Sequence, residues 1–81
     1  MYILRCKDGS LYTGVTTDLA RRVNEHNSSV KGARYTRSRR PVVAVYESEH
    51  ENRSAACQAE YKIKQMSRSA KEALVGNLVQ N

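Results

Sequence analysis

Leu11-Tyr12-Thr13-Gly14-Val15-Thr16-Thr17-Asp18-Leu19-Ala20-Arg21-Arg22-Val23-Asn24-Glu25-His26 is the stretch from which the fold of this chain is read. A short β-like run ends at a glycine and a polar turn, and a segment of helical period follows at once. Thr17 is the expected N-cap. Asp18 then falls in the first turn, where the helix dipole favours negative charge. Leu19, Val23 and His26 stand at i, i+4 and i+7 and make one stripe that faces a core. Arg22 lies about 60° from Leu19 at 100° per residue, on the edge of that stripe. From there it reaches the cleft left at the open end of the strand.

Working outward, Met1 to Cys6 reads as a strand and Lys7-Asp8-Gly9-Ser10 as a hairpin turn, with Asp-Gly the strong local signal. A two-residue loop would pair Arg5 with Tyr12 and put Tyr2 and Tyr12 on opposite faces of the sheet. A three-residue loop, with Gly9 left-handed in a G1 bulge, pairs Leu4 with Tyr12 and puts both phenols on one face. Both loops accept Asp-Gly. The bulged one is expected, because a joint site needs the two phenols together.

After a Thr17–Ser28 helix, Ser29 to Arg40 is a loop carrying Gly32, Tyr35 and the cations Lys31, Arg34, Arg37, Arg39 and Arg40. Pro41 closes it. Val42-Val43-Ala44-Val45-Tyr46 is a continuous apolar run, expected to be a strand with both faces largely covered. Glu47 to Glu51 is an acidic turn. Asn52 caps a second helix that runs to about Met66, with Ala56, Ala59, Ile63 and Met66 as its buried stripe. Ser69 and Glu72 have capping-box spacing for a short third helix, and Gly76 is its expected terminator. The order ββαβαα makes an α+β domain, helices packed on a small sheet.

The chain has 81 residues, which allows one domain, 1–81, with a thin core. There is no Phe or Trp, so aliphatic residues do most of the packing, and each of the five tyrosines brings a hydroxyl that needs a partner when buried. A formal charge of +6 favours a polyanionic partner, with nucleic acid the commonest. Cys6 and Cys57 form no CxxC pair; two such thiols fit packing in a reducing compartment better than a disulfide or zinc site. No apolar run reaches membrane-spanning length and the N-terminus lacks a signal-peptide core, so a soluble, cytoplasmic protein is expected. There is no P-loop, GxGxxG, HExxH or Ser-His-Asp order, and His26 and His50 are too isolated for zinc.

Tyr12-Thr13-Gly14, followed by the turn and the helix with Arg22 and His26, resembles the second half of the GIY-YIG nuclease signature. Met1-Tyr2-Ile3-Leu4, ten residues earlier, resembles the first half. The likeness runs from Tyr2 to about Lys71 and is strongest to the small stand-alone members. It implies a three-stranded antiparallel sheet and a divalent-metal-dependent endonuclease, using Mg2+ or Mn2+, that hydrolyses phosphodiester bonds in DNA.

Each candidate residue has a plain reading beside the functional one. Glu60 lies about 40° from Ala56 and about 60° from Ile63, inside the apolar stripe, where a carboxylate needs a partner or an ion. Lys64 at i+4 is one partner; the resemblance implies instead that Glu60 is a metal ligand, and one carboxylate suffices for Mg2+, which keeps several waters. Arg22 is either an exposed helix arginine or, with its fixed fork, a phosphate clamp. Arg21 points further to solvent. His26 is either a core histidine or a group that orients Tyr12 or a water. Tyr2 and Tyr12 are half-buried strand aromatics or site residues, with Tyr12 as the proton acceptor for water once nearby cations lower its pKa from about 10. Lys31, Arg34, Arg37, Arg39 and Arg40 fit phosphate contacts, with Tyr35 stacking on a base; a solvated basic loop is the alternative. The rivals to an endonuclease are a non-catalytic nucleic-acid-binding module of the same fold and a basic structural protein of a ribonucleoprotein. Sequence identifies no targeting partner protein.

Overall fold

The computed structural model describes the backbone of residues 1–80 and the side chains of residues 1–76. The elements run β1 (Tyr2–Arg5), β2 (Leu11–Gly14), α1 (Leu19–Ser28), α2 (Arg34–Arg37), β3 (Val43–Glu47), α3 (Arg53–Gln65) and α4 (Arg68–Gln80). This is the expected α+β order, with the one-turn α2 added inside the basic loop. The three strands form an antiparallel sheet in the order β2-β1-β3.

The hairpin takes the three-residue loop. Cys6 N–H donates to Ser10 O at 2.9 Å, Gly9 N–H donates to Cys6 O at 2.9 Å, and Gly9 sits at φ 87°. Asp8 supports the turn by accepting from the backbone N–H of Ser10 at 3.0 Å. Leu4 therefore pairs with Tyr12 and Tyr2 with Gly14, which brings Tyr2 and Tyr12 to the same face.

β1 is the central strand and is covered on both sides. Tyr2, Leu4 and Cys6 pack with Val42, Tyr12 and the α1 residues Leu19 and Val23. Met1 and Ile3 pack on the opposite side with Ile63 and Val75, flanked by Ala59, Met66 and Leu74 from α3 and α4. Ile3 and Leu4 are fully buried, each contributing about 1.5–3 kcal/mol. The helices thus form layers on both faces of a thin sheet.

Four local expectations are corrected. The N-cap of α1 is Asp18, not Thr17: its carboxylate accepts from Arg21 N at 3.1 Å, and a charged acceptor at the positive helix end is the stronger cap. The apolar run at Val42–Tyr46 does not make a strand covered on both faces. β3 is an edge strand with Val43 56% exposed, and a register shift opposite Ile3 and Leu4 kinks it. Ser67, not Ser69, caps α4 by accepting from Ala70 N at 3.1 Å, because Glu72 is held by Arg5 in a two-pronged pair at 2.7 Å. Nor does Gly76 end α4, which continues through it to Gln80. Asn52 does cap α3, accepting from Ala55 N at 2.8 Å. Of the two thiols, Cys6 is buried as expected, whereas Cys57 is exposed on α3.

Candidate active site

The site begins with Tyr2. Its ring lies across β2 at Gly14, where a Cβ would stand 2.5 Å from Tyr2 Oη and 2.6 Å from Cζ. Only glycine leaves room for the phenol, which gives the second motif's glycine its physical meaning. The Tyr2 hydroxyl meets Nε2 of His26 at 2.9 Å, and His26 is fully buried on α1. The other ring nitrogen, Nδ1, meets Thr36 Oγ1 at 2.9 Å and accepts from the Ala33 N–H at 3.2 Å. Burial pushes the His26 imidazole below its usual range, with Arg22 and Arg40 acting the same way and Glu25 opposing. Burial likewise pushes the Tyr2 phenol up; Arg22 opposes this, while Tyr12 and Glu60 reinforce it. Tyr2, Tyr12, Arg22 and Glu60 therefore share one electrostatic neighbourhood.

Tyr12 is half-buried and meets His26 edge-on, ring centres 5.2 Å apart. Tyr35 stacks on Tyr12 at 5.9 Å, and the Arg39 guanidinium lies 3.9 Å above the Tyr35 ring. Arg39 is itself anchored by Asp8 at 3.0 Å and by the Tyr35 carbonyl at 2.9 Å. Tyr35, 38% exposed, thus shares its ring contacts with Tyr12 and Arg39 and braces Tyr12. Hydrogen bonds from Ser10, with Arg39 adding to them, hold the Asp8 carboxyl below its usual range.

Arg22 donates through Nη1 to Glu25 Oε1 at 3.0 Å and to Lys31 O at 2.8 Å. Both bonds use Nη1, and the guanidinium also acts on the Tyr2 phenol. Glu60 projects from α3, which packs beside β2. Its side chain is one-quarter exposed and pairs with Lys64 at 3.4 Å, so the plain partner foreseen from the spacing is present.

The basic loop divides by use. Arg40 caps the C-terminal carbonyls of α1, donating to His26 O, Ser29 O and Glu25 O. Arg39 belongs to the aromatic stack. Arg34, Arg37, Lys31 and Arg21 are exposed, and their side chains have no ion pair or hydrogen bond among the described residues. The loop lies close to α1 at Gly32, where a Cβ would meet Glu25 O at 2.6 Å. Thr36 was not foreseen; its only trace in the sequence is a hydroxyl three residues after Ala33, at the start of a turn. A cleft of about 660 Å³ lies apart, between the β2–α1 turn and the acidic Glu47–Arg53 loop, with Thr16, Arg21 and His50 in its lining. It does not contain the tyrosines. Their neighbours, not cavity size, mark the site.

The model of the GIY-YIG catalytic domain matches residues 1–73. The chain belongs to the GIY-YIG family. It is 60% identical over 75 residues to a UPF0213 protein of Desulfotalea psychrophila, covering 93% of this chain and 68% of that one. It is 50% identical to a UPF0213 protein of Halobacterium salinarum, covering 91% and 95% of the two chains. A solution NMR structure of a UPF0213 protein from Bacillus halodurans superposes with a TM-score of 0.58 at 49% identity, covering 93% of this chain and 79% of that one. The names of these relatives assign no activity. Family membership gives the class, a nuclease that acts on nucleic acid. No helix among the described residues is long and apolar enough to cross a membrane.

Proposed function

We propose that this GIY-YIG domain is a divalent-metal-dependent endonuclease that hydrolyses phosphodiester bonds in DNA. The observation that carries the reading is the convergence of Tyr2 and Tyr12 on buried His26, with Arg22 one turn before it on the same helix.

The residues present fit a divalent ion. Among the described residues there is no group of three metal-ligating side chains, but Glu60 is a carboxylate at the site with a partly exposed partner. An i,i+4 pair of this kind is worth about 0.3–0.5 kcal/mol, little to give up for an ion. Mg2+ or Mn2+ held by Glu60 and substrate oxygens would neutralise charge that develops on the phosphate.

The chain's own groups do the rest. Arg22 offers its unused guanidinium nitrogens to two phosphate oxygens, in a geometry fixed by Glu25 and the Lys31 carbonyl. Tyr12, half-buried and braced by Tyr35, takes the proton of the attacking water. The water oxygen bonds to phosphorus as the bond to the leaving oxygen breaks, and that oxygen takes up a proton from solvent. Lys31, Arg34, Arg37 and Arg21 hold the flanking backbone. The test is a nicking assay on plain, branched and single-stranded DNA, with RNA as control, in Mg2+, Mn2+ or EDTA. Metal-dependent nicking that Tyr12→Phe abolishes without loss of binding supports the reading. Binding without nicking under every metal leaves a binding module, with Glu60 serving Lys64.

A further inference from the structure

The basic loop enters the site through its backbone. The Lys31 carbonyl accepts from Arg22 Nη1 at 2.8 Å, and the Ala33 N–H meets His26 Nδ1 at 3.2 Å. Arg22 and His26 stand one turn apart on α1, so the loop lies along that helix and touches both. Gly32, between the two contacts, is what lets it lie there. A Cβ on Gly32 would stand 2.6 Å from Glu25 O, 2.8 Å from His26 Cα and 3.2 Å from Glu25 C, all backbone atoms of α1. Gly9 is the only glycine with positive φ among the described residues, so at Gly32 the requirement is for space and not for backbone conformation. The helix is poorly placed to yield to a side chain here. Glu25 O already accepts from the Ser29 N–H at 2.9 Å, and Arg40 donates to Ser29 O at 2.6 Å and to His26 O and Glu25 O as well. The loop is the softer side: Val30 is exposed, and the Gly32 N–H bond to Ser29 O is long at 3.2 Å. A methyl group on residue 32 therefore lifts the loop and takes the Lys31 carbonyl off Arg22. Nη1 carries two hydrogens, and Glu25 Oε1, at 3.0 Å, takes the other one. Two acceptors on one nitrogen fix the plane of the guanidinium, whereas Glu25 alone leaves it free to turn.

We infer that Gly32 is a positioning residue for Arg22: by admitting the loop backbone against α1 it brings the Lys31 carbonyl to the guanidinium and fixes the plane in which Arg22 meets a phosphate. The phosphate rests on the nuclease reading; the hold on the guanidinium does not. The same loop carries the side chains of Lys31, Arg34 and Arg37, so the cations that hold the flanking backbone and the arginine that holds the scissile phosphate are set in one register.

The guanidinium nitrogen spectrum of the full chain, labelled with 15N-arginine, reads the hold directly. Wild-type Arg22 should rotate slowly about Nε–Cζ and show separate Nη1 and Nη2 signals, while the exposed Arg34 and Arg37 show averaged ones. The wild type should also show a nuclear Overhauser contact between the α-protons of Gly32 and His26. An averaged Arg22 signal, or no such contact, overturns the inference whether or not the protein cleaves DNA, and both are read without any variant. Gly32→Ala should fold and average the Arg22 signal; a folded Ala variant with the wild-type Arg22 pattern removes Gly32 from the role. In cleavage, Gly32→Ala should lower kcat about 100-fold, the order that a misplacement of about 1 Å costs, while DNA affinity stays close to wild type because the loop cations are kept. In an Arg22→Gln background the same change should cost nothing further. Additive losses, which a merely structural glycine would give, overturn the positioning of Arg22. Wild-type protein that shows the held guanidinium and never nicks DNA sinks the nuclease reading and with it the phosphate role, and leaves the hold itself established.

Discussion

Gly14→Ala should be among the most damaging single-methyl additions in this protein. The new Cβ would lie 2.5 Å from Tyr2 Oη, 2.6 Å from Cζ and 3.1 Å from Cε1. These atoms belong to a ring that is 2% exposed and tied to His26, so the ring cannot simply swing into water. Overpacking of a close-packed core costs about 1–3 kcal/mol, and breaking the Tyr2–His26 bond adds about 1 kcal/mol. A total of about 2–4 kcal/mol should lower Tm by at least about 10 °C in a domain of this size. Urea denaturation and calorimetry of both forms measure this. A cycle with Tyr2→Leu isolates the contact: without the phenol, most of the cost of Gly14→Ala should vanish. A Gly14→Ala variant within about 0.5 kcal/mol of wild type, or additive costs in the cycle, would refute the close approach of Tyr2 to Gly14.

Three further outcomes follow from the packing and charges described. Replacing Arg34 and Arg37 by Gln should weaken DNA binding and reduce the salt slope by up to about 2, whereas Arg40→Gln should chiefly lower stability, because its donors hold α1 carbonyls; fluorescence anisotropy against salt and thermal melts separate the two. Gly76→Ala should raise stability by about 0.4–1 kcal/mol in urea titrations, since Gly76 lies within α4 and an added Cβ meets nothing within 4 Å among the described residues. His26 has a folded pKa below its unfolded value of about 6.5, so its contribution is complete above that pH and is lost as pH falls from there through the folded pKa; stability measured from pH 7.5 to 5 should decline, and His26→Gln should flatten the decline.

The sequence left the hairpin register open, since both loops accept Asp8-Gly9; only the requirement that Tyr2 and Tyr12 share a face selected the bulged one, and the observed pairing of Leu4 with Tyr12 agrees with it. The α3 stripe and the Asn52 cap were legible for a similar local reason, helical period and one side-chain oxygen. β3 misled because an apolar run reports hydrophobicity and not strand order; with β1 in the middle, the same valines fall on an edge. The site was only half legible. Helix phase puts His26 in the buried stripe of α1 and Arg22 at its edge, but the division of the loop cations does not follow from any such phase. Arg40 and Arg39 look like Arg34 and Arg37 in sequence and differ only in the carbonyls, ring and carboxylate that the fold sets beside them. Thr36 reaches His26 across a loop, and Glu72 was taken from its expected cap by Arg5, 67 residues away. Such pairings arise only when the chain has folded.

The metal-dependent nuclease reading stands or falls on Glu60→Gln, assayed side by side with wild type for DNA binding and for nicking in Mg2+ and Mn2+. The substitution keeps size and helix propensity and removes the charge a metal ion needs. Nicking by wild type, a fall of orders of magnitude in Glu60→Gln, and unchanged affinity and Tm are the expected result, because the ion's charge stabilisation is worth several kcal/mol and the Lys64 pair is not. A Glu60→Gln variant that nicks as fast as wild type, or a wild type that binds DNA and never nicks it with any divalent ion, would contradict it.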